Sequence, residues 1–222
     1  IRDSLFLSSN NSISGNNITN NYDGILLLDS NYNSISGNNI TNNGEDGILF
    51  LYHSHYNTVS GNNITANDRN GIGLYSSNYN TISGNNITNN YKGIYLYYCF
   101  SNSISGNVMN DNRYNFYVEG YAISHFMHLI DVSNVVDGKP VYYLVNQQDL
   151  VINHTTHPQV GYLALINCTN VTVEGLTLTN NGQGLLLAYT NNSRIKDNNI
   201  ANNGHGIVLG YSFNSSISGN SI

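Results

Sequence analysis

Three short stretches carry residue types that bind soft metals. His53 and His55 form His-Ser-His, His125, Met127 and His128 form His-Phe-Met-His, and His154 and His157 form His-Thr-Thr-His. Imidazole and thioether donors together suit copper. If the segment holding His125, Met127, His128, His154 and His157 folds back on itself, these five are a candidate copper site. Surface histidines with no metal role are the plainer reading, because spacing guarantees only adjacent pairs. Asp23 and Asp46, with Glu45 beside them, offer the oxygen ligands that calcium takes; turn residues in solvent are the alternative. Aromatic residues also recur at fixed intervals. Tyr32, Tyr56 and Tyr79 form one column, Tyr75, Tyr95 and Tyr97 another, and Tyr142 and Tyr143 follow later. Such rows are candidates for stacking on sugar rings or for meeting a partner. The competing reading is that a hairpin of the same chain, or a neighbour, covers them.

What positions these residues is a repeat. "NSISGNNITNN" at 33–43 has close copies at 11–21, 57–67, 80–90 and 102–112. The Gly of its Ser-Gly step falls at Gly15, Gly37, Gly61, Gly84, Gly106, Gly175 and Gly219, with Asp197 in the same slot. The steps are 22–24 residues, apart from one gap of 69. That gap is three steps long, so the phase is expected to run unbroken through a degenerate middle. Self-similarity at this period marks a solenoid. Each unit holds three short β runs, such as Ser-Ile-Ser, Asn-Ile-Thr and Ile-Leu-Phe-Leu at 48–51. In the third run alternate positions are apolar (Ile48/Phe50, Ile72/Leu74, Ile94/Leu96), which turns them inward. Three short strands per repeat predict an all-β parallel β-helix of about ten coils of 22–24 residues.

The 43 asparagines then have a structural use. One column follows the phase marker: Asn16, Asn38, Asn62, Asn85, Asn107, Asn198 and Asn220. A second follows the middle strand: Asn21, Asn43, Asn67, Asn90, Asn112, Asn181 and Asn203. Asn offers both donor and acceptor, tolerates left-handed turns, and does not repel its own copies one rung away. Both columns are expected to be ladders. The Asn-Ile-Thr strands also create sequons at Asn17, Asn39, Asn63 and Asn86.

Composition sets the class. Only 9% of residues are charged and 40% are hydrophobic, with 18 Tyr and 6 Phe, so a disordered chain is excluded. Seven scattered Lys and Arg argue against nucleic acid, and no apolar run has the length of a membrane span. The 222 residues are expected to form a single β-helix domain, 1–222, cut from a longer chain at both ends. The repeat is irregular over 121–160. Asp137-Gly138 between apolar runs predicts a β-hairpin insertion near 131–145. Cys99 and Cys168 stand three coil lengths apart, which puts them about 14 Å apart along one axis and leaves both thiols free.

These repeats, read as "NSISGNNITNNYDGILLL", resemble the NosD-like group of right-handed parallel β-helix proteins, and 125–152 is similar to a segment of archaeal cell-surface members. The resemblance implies a right-handed solenoid in an extracellular, cell-surface or periplasmic setting. It also implies copper handling, since NosD is associated with copper delivery, or carbohydrate binding and cleavage, which the wider group includes. Gly204-His205-Gly206 and Arg194-Ile195-Lys196 resemble two polygalacturonase motifs. Their order is reversed here, the paired aspartates are missing, and both fall in repeat slots. The expected function is therefore a non-catalytic secreted or cell-surface module, structural or adhesive. Its expected partner is a polysaccharide or a cell-surface protein, met along the Tyr-bearing side, and no cofactor is required. A copper-handling accessory role, and a polysaccharide lyase or hydrolase, are the alternatives.

Overall fold

The structure, a computed structural model, describes residues 3–222. It is an all-β right-handed parallel β-helix. The third-run strands from Asp3–Phe6 to Tyr114–Glu119 form a six-stranded sheet. The Ser-Ile-Ser strands form a second, ending on Leu129–Ile130, and the Asn-Ile-Thr strands a third, ending on Val135–Val136. Registers are rung on rung: Ile35 pairs with Val59 and Ile64 with Ile87. Within the stacks the middle residue of the short strands points inward and is fully buried, as in Ile35, Ile40, Ile82 and Ile87; at the ends Ile13 is partly buried and Ile217 exposed.

The Ser-Gly step is a left-handed turn. Gly15, Gly37, Gly61 and Gly84 have φ between +61° and +69°, and Asp197 replaces Gly at φ 57°. A different constraint acts at Gly71 in the third run. A Cβ there would meet the Ile87 side chain at 2.4 Å and the Gly93 carbonyl at 2.8 Å, so the backbone rungs close up only on glycine.

The unbroken phase expected from the 69-residue gap is not what the chain does. Val135–Val136 pairs antiparallel with Lys139–Val145 through the Asp137-Gly138 turn. Strand direction therefore reverses, and a second stack begins. Its third-run strands, Lys139–Val145, Tyr162–Ile166, Gln183–Ala188 and His205–Gly210, extend the Asn-Ile-Thr sheet of the first stack. Its other strands form separate four- and two-stranded sheets. Alternate side chains of the shared strands enter different cores. Tyr162, Ala164, Ile166 and Leu186 join the first, whereas Leu163, Leu165, Leu185 and Leu187 join the second. The expected hairpin is thus present and forms the joint between the stacks.

Gln183 fastens the joint: its Nε2 donates to the Val118 carbonyl at 2.5 Å, and its Oε1 accepts from the Tyr162 hydroxyl at 3.1 Å. Among the described residues no helix is long and apolar enough to cross a membrane.

Candidate functional site

Ladder chemistry accounts for most polar side chains. Asn85 donates to Asn107 Oδ1 from its backbone N–H (3.0 Å) and its Nδ2 (2.9 Å), and Nδ2 also reaches the Val59 carbonyl. Asn62 makes the same two bonds to Asn85. Asn67, Asn90 and Asn112 repeat the pattern in the second column. A third column, Asn33, Asn57, Asn80 and Asn102, was not singled out from the sequence, although each precedes a Ser-Ile-Ser-type strand. A hydroxyl column runs through Ser30 and Ser54 in the first stack, and Cys99 takes the same position for Ser77. In the second stack Cys168 bonds to Thr190, and Thr190 to Ser212. The cysteines thus replace ladder hydroxyls, each in its own stack rather than on one axis. Both are buried and free. The sequon asparagines Asn17, Asn39, Asn63 and Asn86 form an exposed amide ladder of their own.

The histidines of the irregular segment do different jobs. His128 is buried and ends the third Asn column: its Nδ1 accepts from the Asn102 N–H at 3.3 Å, and its Nε2 faces the His125 carbonyl at 3.1 Å. Burial pushes its pKa down to about 4. Both ring nitrogens are engaged within the chain. His125 packs on Tyr121 and Tyr98, Met127 leans on the first core, His157 packs edge-on against Tyr142, and His154 is exposed. His53 faces Asp29, and His55 accepts from the Asn78 N–H. Asp23 and Asp46 are buried in a column at the start of the third run, where Asp46 Oδ1 accepts from Asn70. Among the described residues no three His, Cys, Asp or Glu come together.

The tyrosine columns are real, but most of their ring faces are occupied by one another. Tyr32, Tyr56 and Tyr79 stack on one another at 5.1 and 5.0 Å, nearly parallel, and Phe100 closes the row edge-on. Tyr56 is stacked on both faces, whereas Tyr32, at the end of the row and 57% exposed, stacks on one face alone. On the third-run sheet Leu26, Leu49, Gly73, Tyr95 and Tyr117 stand in one row, and Tyr75 leans over the gap at Gly73. Tyr95 is only 6% exposed: its hydroxyl donates to Glu119, and Lys92 Nζ sits 3.6 Å above its ring. Burial holds the Tyr95 phenol well above its usual pKa and lowers that of Lys92. Tyr97 stacks on Tyr98 at 3.9 Å. On the hairpin strand, Tyr142 leans on the second core while Tyr143 fills the first and donates to the Phe126 carbonyl at 2.7 Å.

The joint creates a groove that the sequence did not reveal. Turns that follow the middle strands of the first stack face the equivalent turns of the second. Asp68, Asn89, Tyr91, Asp111, Arg113 and Tyr114 form one lip and Asn180, Asn202 and Asn203 the other, around about 870 Å³. A recess of about 540 Å³ continues past Asp111 to Asp137 and Lys139. Asn89, Asp111, Asn180 and Asn202 have φ of 55–61°, the left-handed turn that Asn and Asp tolerate. Among the described residues, the side chains of Asp68, Asn89, Asp111 and Asn202 have no ladder partner. Tyr91 and Tyr114 meet edge to face at 5.5 Å, with the Arg113 guanidinium 5.6 Å from each ring. Sequence signals for this lip did exist: Asn-Asp-Arg at 67–69 and Asp-Asn-Arg-Tyr at 111–114 break the Asn-Asn pattern at one turn.

A family model described as periplasmic copper-binding protein (NosD) matches residues 6–129 and 128–222. No curated protein is a match for the chain. Among solved structures, a double mutant of the periplasmic alginate epimerase AlgG is 15% identical with a TM-score of 0.53, covering 99% of this chain and 48% of its own. A second AlgG mutant is 15% identical (TM-score 0.49; 94% of this chain, 50% of its own). The Dettilon tailspike protein is 19% identical (TM-score 0.45; 90% of this chain, 38% of its own). The chain spans half or less of the length of these structures, and at such identities the likeness is one of fold alone.

Proposed function

We propose a function from one premise, that the chain belongs to the NosD family, described as periplasmic copper-binding proteins: it is a non-catalytic, extracytoplasmic β-helix module that binds polysaccharide in the groove between its stacks. One observation carries this reading. Turn asparagines outside the ladders, such as Asn20 and Asn42, also project unpaired, but only in the groove do such amides stand with the carboxylates Asp68 and Asp111 and the Tyr91–Tyr114 pair beside Arg113, facing a second set of turns. Planar amides and carboxylates answer the paired hydroxyls of a sugar, and an aromatic edge or face packs on its C–H surface. The tyrosine row at Tyr32, Tyr56 and Tyr79 contributes hydroxyls at its edges, while self-stacking closes its inner ring faces. A periplasmic or cell-surface setting agrees with the family's description.

Affinity electrophoresis through gels containing soluble polysaccharides tests the reading. Retardation of the wild-type chain, lost in the double variant Tyr91→Ala with Arg113→Ala, is the expected result. Release of new reducing ends or unsaturated sugars would overturn the non-catalytic part. The family description favours copper as a second reading, drawing on His125, Met127, His154 and His157. Stoichiometric submicromolar copper binding that His125→Ala abolishes would put that reading first.

A further inference from the structure

We infer that the groove takes a neutral, hydroxyl-rich glycan and discriminates against polyuronates. This rests on the polysaccharide reading above and names the class of ligand within it. The charges along the groove and its recess are Asp68, Asp111 and Asp137 against Arg113 and Lys139, one net negative charge in a chain that is itself at -6. Asp137 accepts from Asn180 Nδ2 at 3.0 Å, which leaves Asp68 and Asp111 as open acceptors at the lips. Carboxylates are strong acceptors for sugar hydroxyls and repel sugar carboxylates.

A polyuronate carries a charge on every sugar, roughly one per rung of about 4.8 Å. Holding it would need a row of free cations along the axis, and among the described residues the groove and its recess offer two, Arg113 and Lys139, against three aspartates. Arg69 is paired with Glu45 at 3.3 Å, Lys196 with Glu174 at 2.9 Å, and Lys92 lies over Tyr95 and Tyr117. Arg113 is exposed, with its guanidinium 5.6 Å from both the Tyr91 and Tyr114 rings, a single cation beside an aromatic shelf rather than one of a row. The remaining lip groups, Asn89, Asn180 and Asn202, are neutral amides offering both donors and acceptors.

The test is affinity electrophoresis of the wild-type chain in gels containing neutral polymers (a soluble β-glucan, a galactomannan) or anionic ones (alginate, polygalacturonate), each at low and high salt. We expect retardation by a neutral polymer that is insensitive to salt, weakened about tenfold by Asp111→Ala or Tyr91→Ala, equivalent to about 1.4 kcal/mol. Both side chains are exposed or line the groove, and matching melting curves check that the variants fold. Asp111→Asn, which keeps the left-handed turn, should lose less. Retardation by alginate or polygalacturonate alone, abolished by salt, overturns this inference and leaves the polysaccharide reading standing. Retardation by neither class overturns the polysaccharide reading itself, and this inference with it.

Discussion

Asp46 and His128 are both buried, and they couple stability to pH in opposite senses. Burial raises the Asp46 pKa to about 6, although Asn70 hydrogen bonds oppose the shift. Its Oδ1 accepts from Asn70 while Oδ2 is buried without a partner, so the proton belongs on Oδ2. A carboxyl raised above its unfolded value contributes stability that is present below about pH 4 and is lost as pH rises through about 6, to the extent of about 3 kcal/mol. Burial lowers His128 to about 4, so its contribution is present above about pH 6.5 and is lost as pH falls through about 4. Between about pH 4 and 6 the two nearly cancel. Denaturant midpoints of single variants should separate them. Asp46→Asn is expected to leave a chain whose stability rises with pH across that window. His128→Asn, which supplies the residue the column uses elsewhere, should leave one whose stability falls. Parallel pH profiles for both variants and wild type would reject the assignment. The thiols give a second residue-scale prediction. Burial pushes Cys99 up to about 12 and raises Cys168. Alkylation of either should await unfolding, and a 99–168 disulfide in the native chain would contradict the two-stack arrangement.

At the scale of the element, the unit of stability is the ladder rather than the strand, because three-residue strands have few backbone bonds of their own. Asn85→Leu keeps the volume but removes the side-chain acceptor of the Asn62 N–H and Nδ2 and the Nδ2 donor to the Asn107 Oδ1 and the Val59 carbonyl. The expected loss is about 1–3 kcal/mol in a urea melt. Thr88→Ala removes one half-exposed hydroxyl contact to Thr65 and should change stability by less than about 0.5 kcal/mol. Equal melting curves for these two variants would refute the ladder account.

At the scale of the whole molecule, the joint decides whether the stacks unfold together. Two alternating strand faces feed two cores, and Gln183 bonds to Val118 across the seam and to Tyr162 on the neighbouring strand, whose ring fills the first core. Gln183→Ala strands these groups in a buried setting, and Gly182→Ala would drive a Cβ to within 2.1 Å of the Tyr117 ring. The first is expected to cost about 1–3 kcal/mol and to split one unfolding transition into two in differential scanning calorimetry. A single transition that merely shifts would show that the cores are coupled without this contact.

The sequence alone determined the coil, because its evidence is local and repeated. Gly37, Gly61 and Gly84 mark left-handed turns, Ile35 and Ile82 alternate inward, and the Asn of each turn recurs at the rung spacing. Even the third Asn column was present in the phrase at 33–43. The aromatic columns were legible as columns, but ring orientation was not, since whether Tyr56 shows its face or its edge depends on the neighbouring rungs. The reversal at Asp137-Gly138 was visible only as a turn. A dipeptide fixes a turn's geometry, but the direction in which the next strands build is set by which core their alternating faces can fill. That choice brought Asn180 and Asn202 opposite Asp111 and Arg113. Those pairs lie between about 70 and 90 residues apart in the chain, so only tertiary packing could place them across one groove.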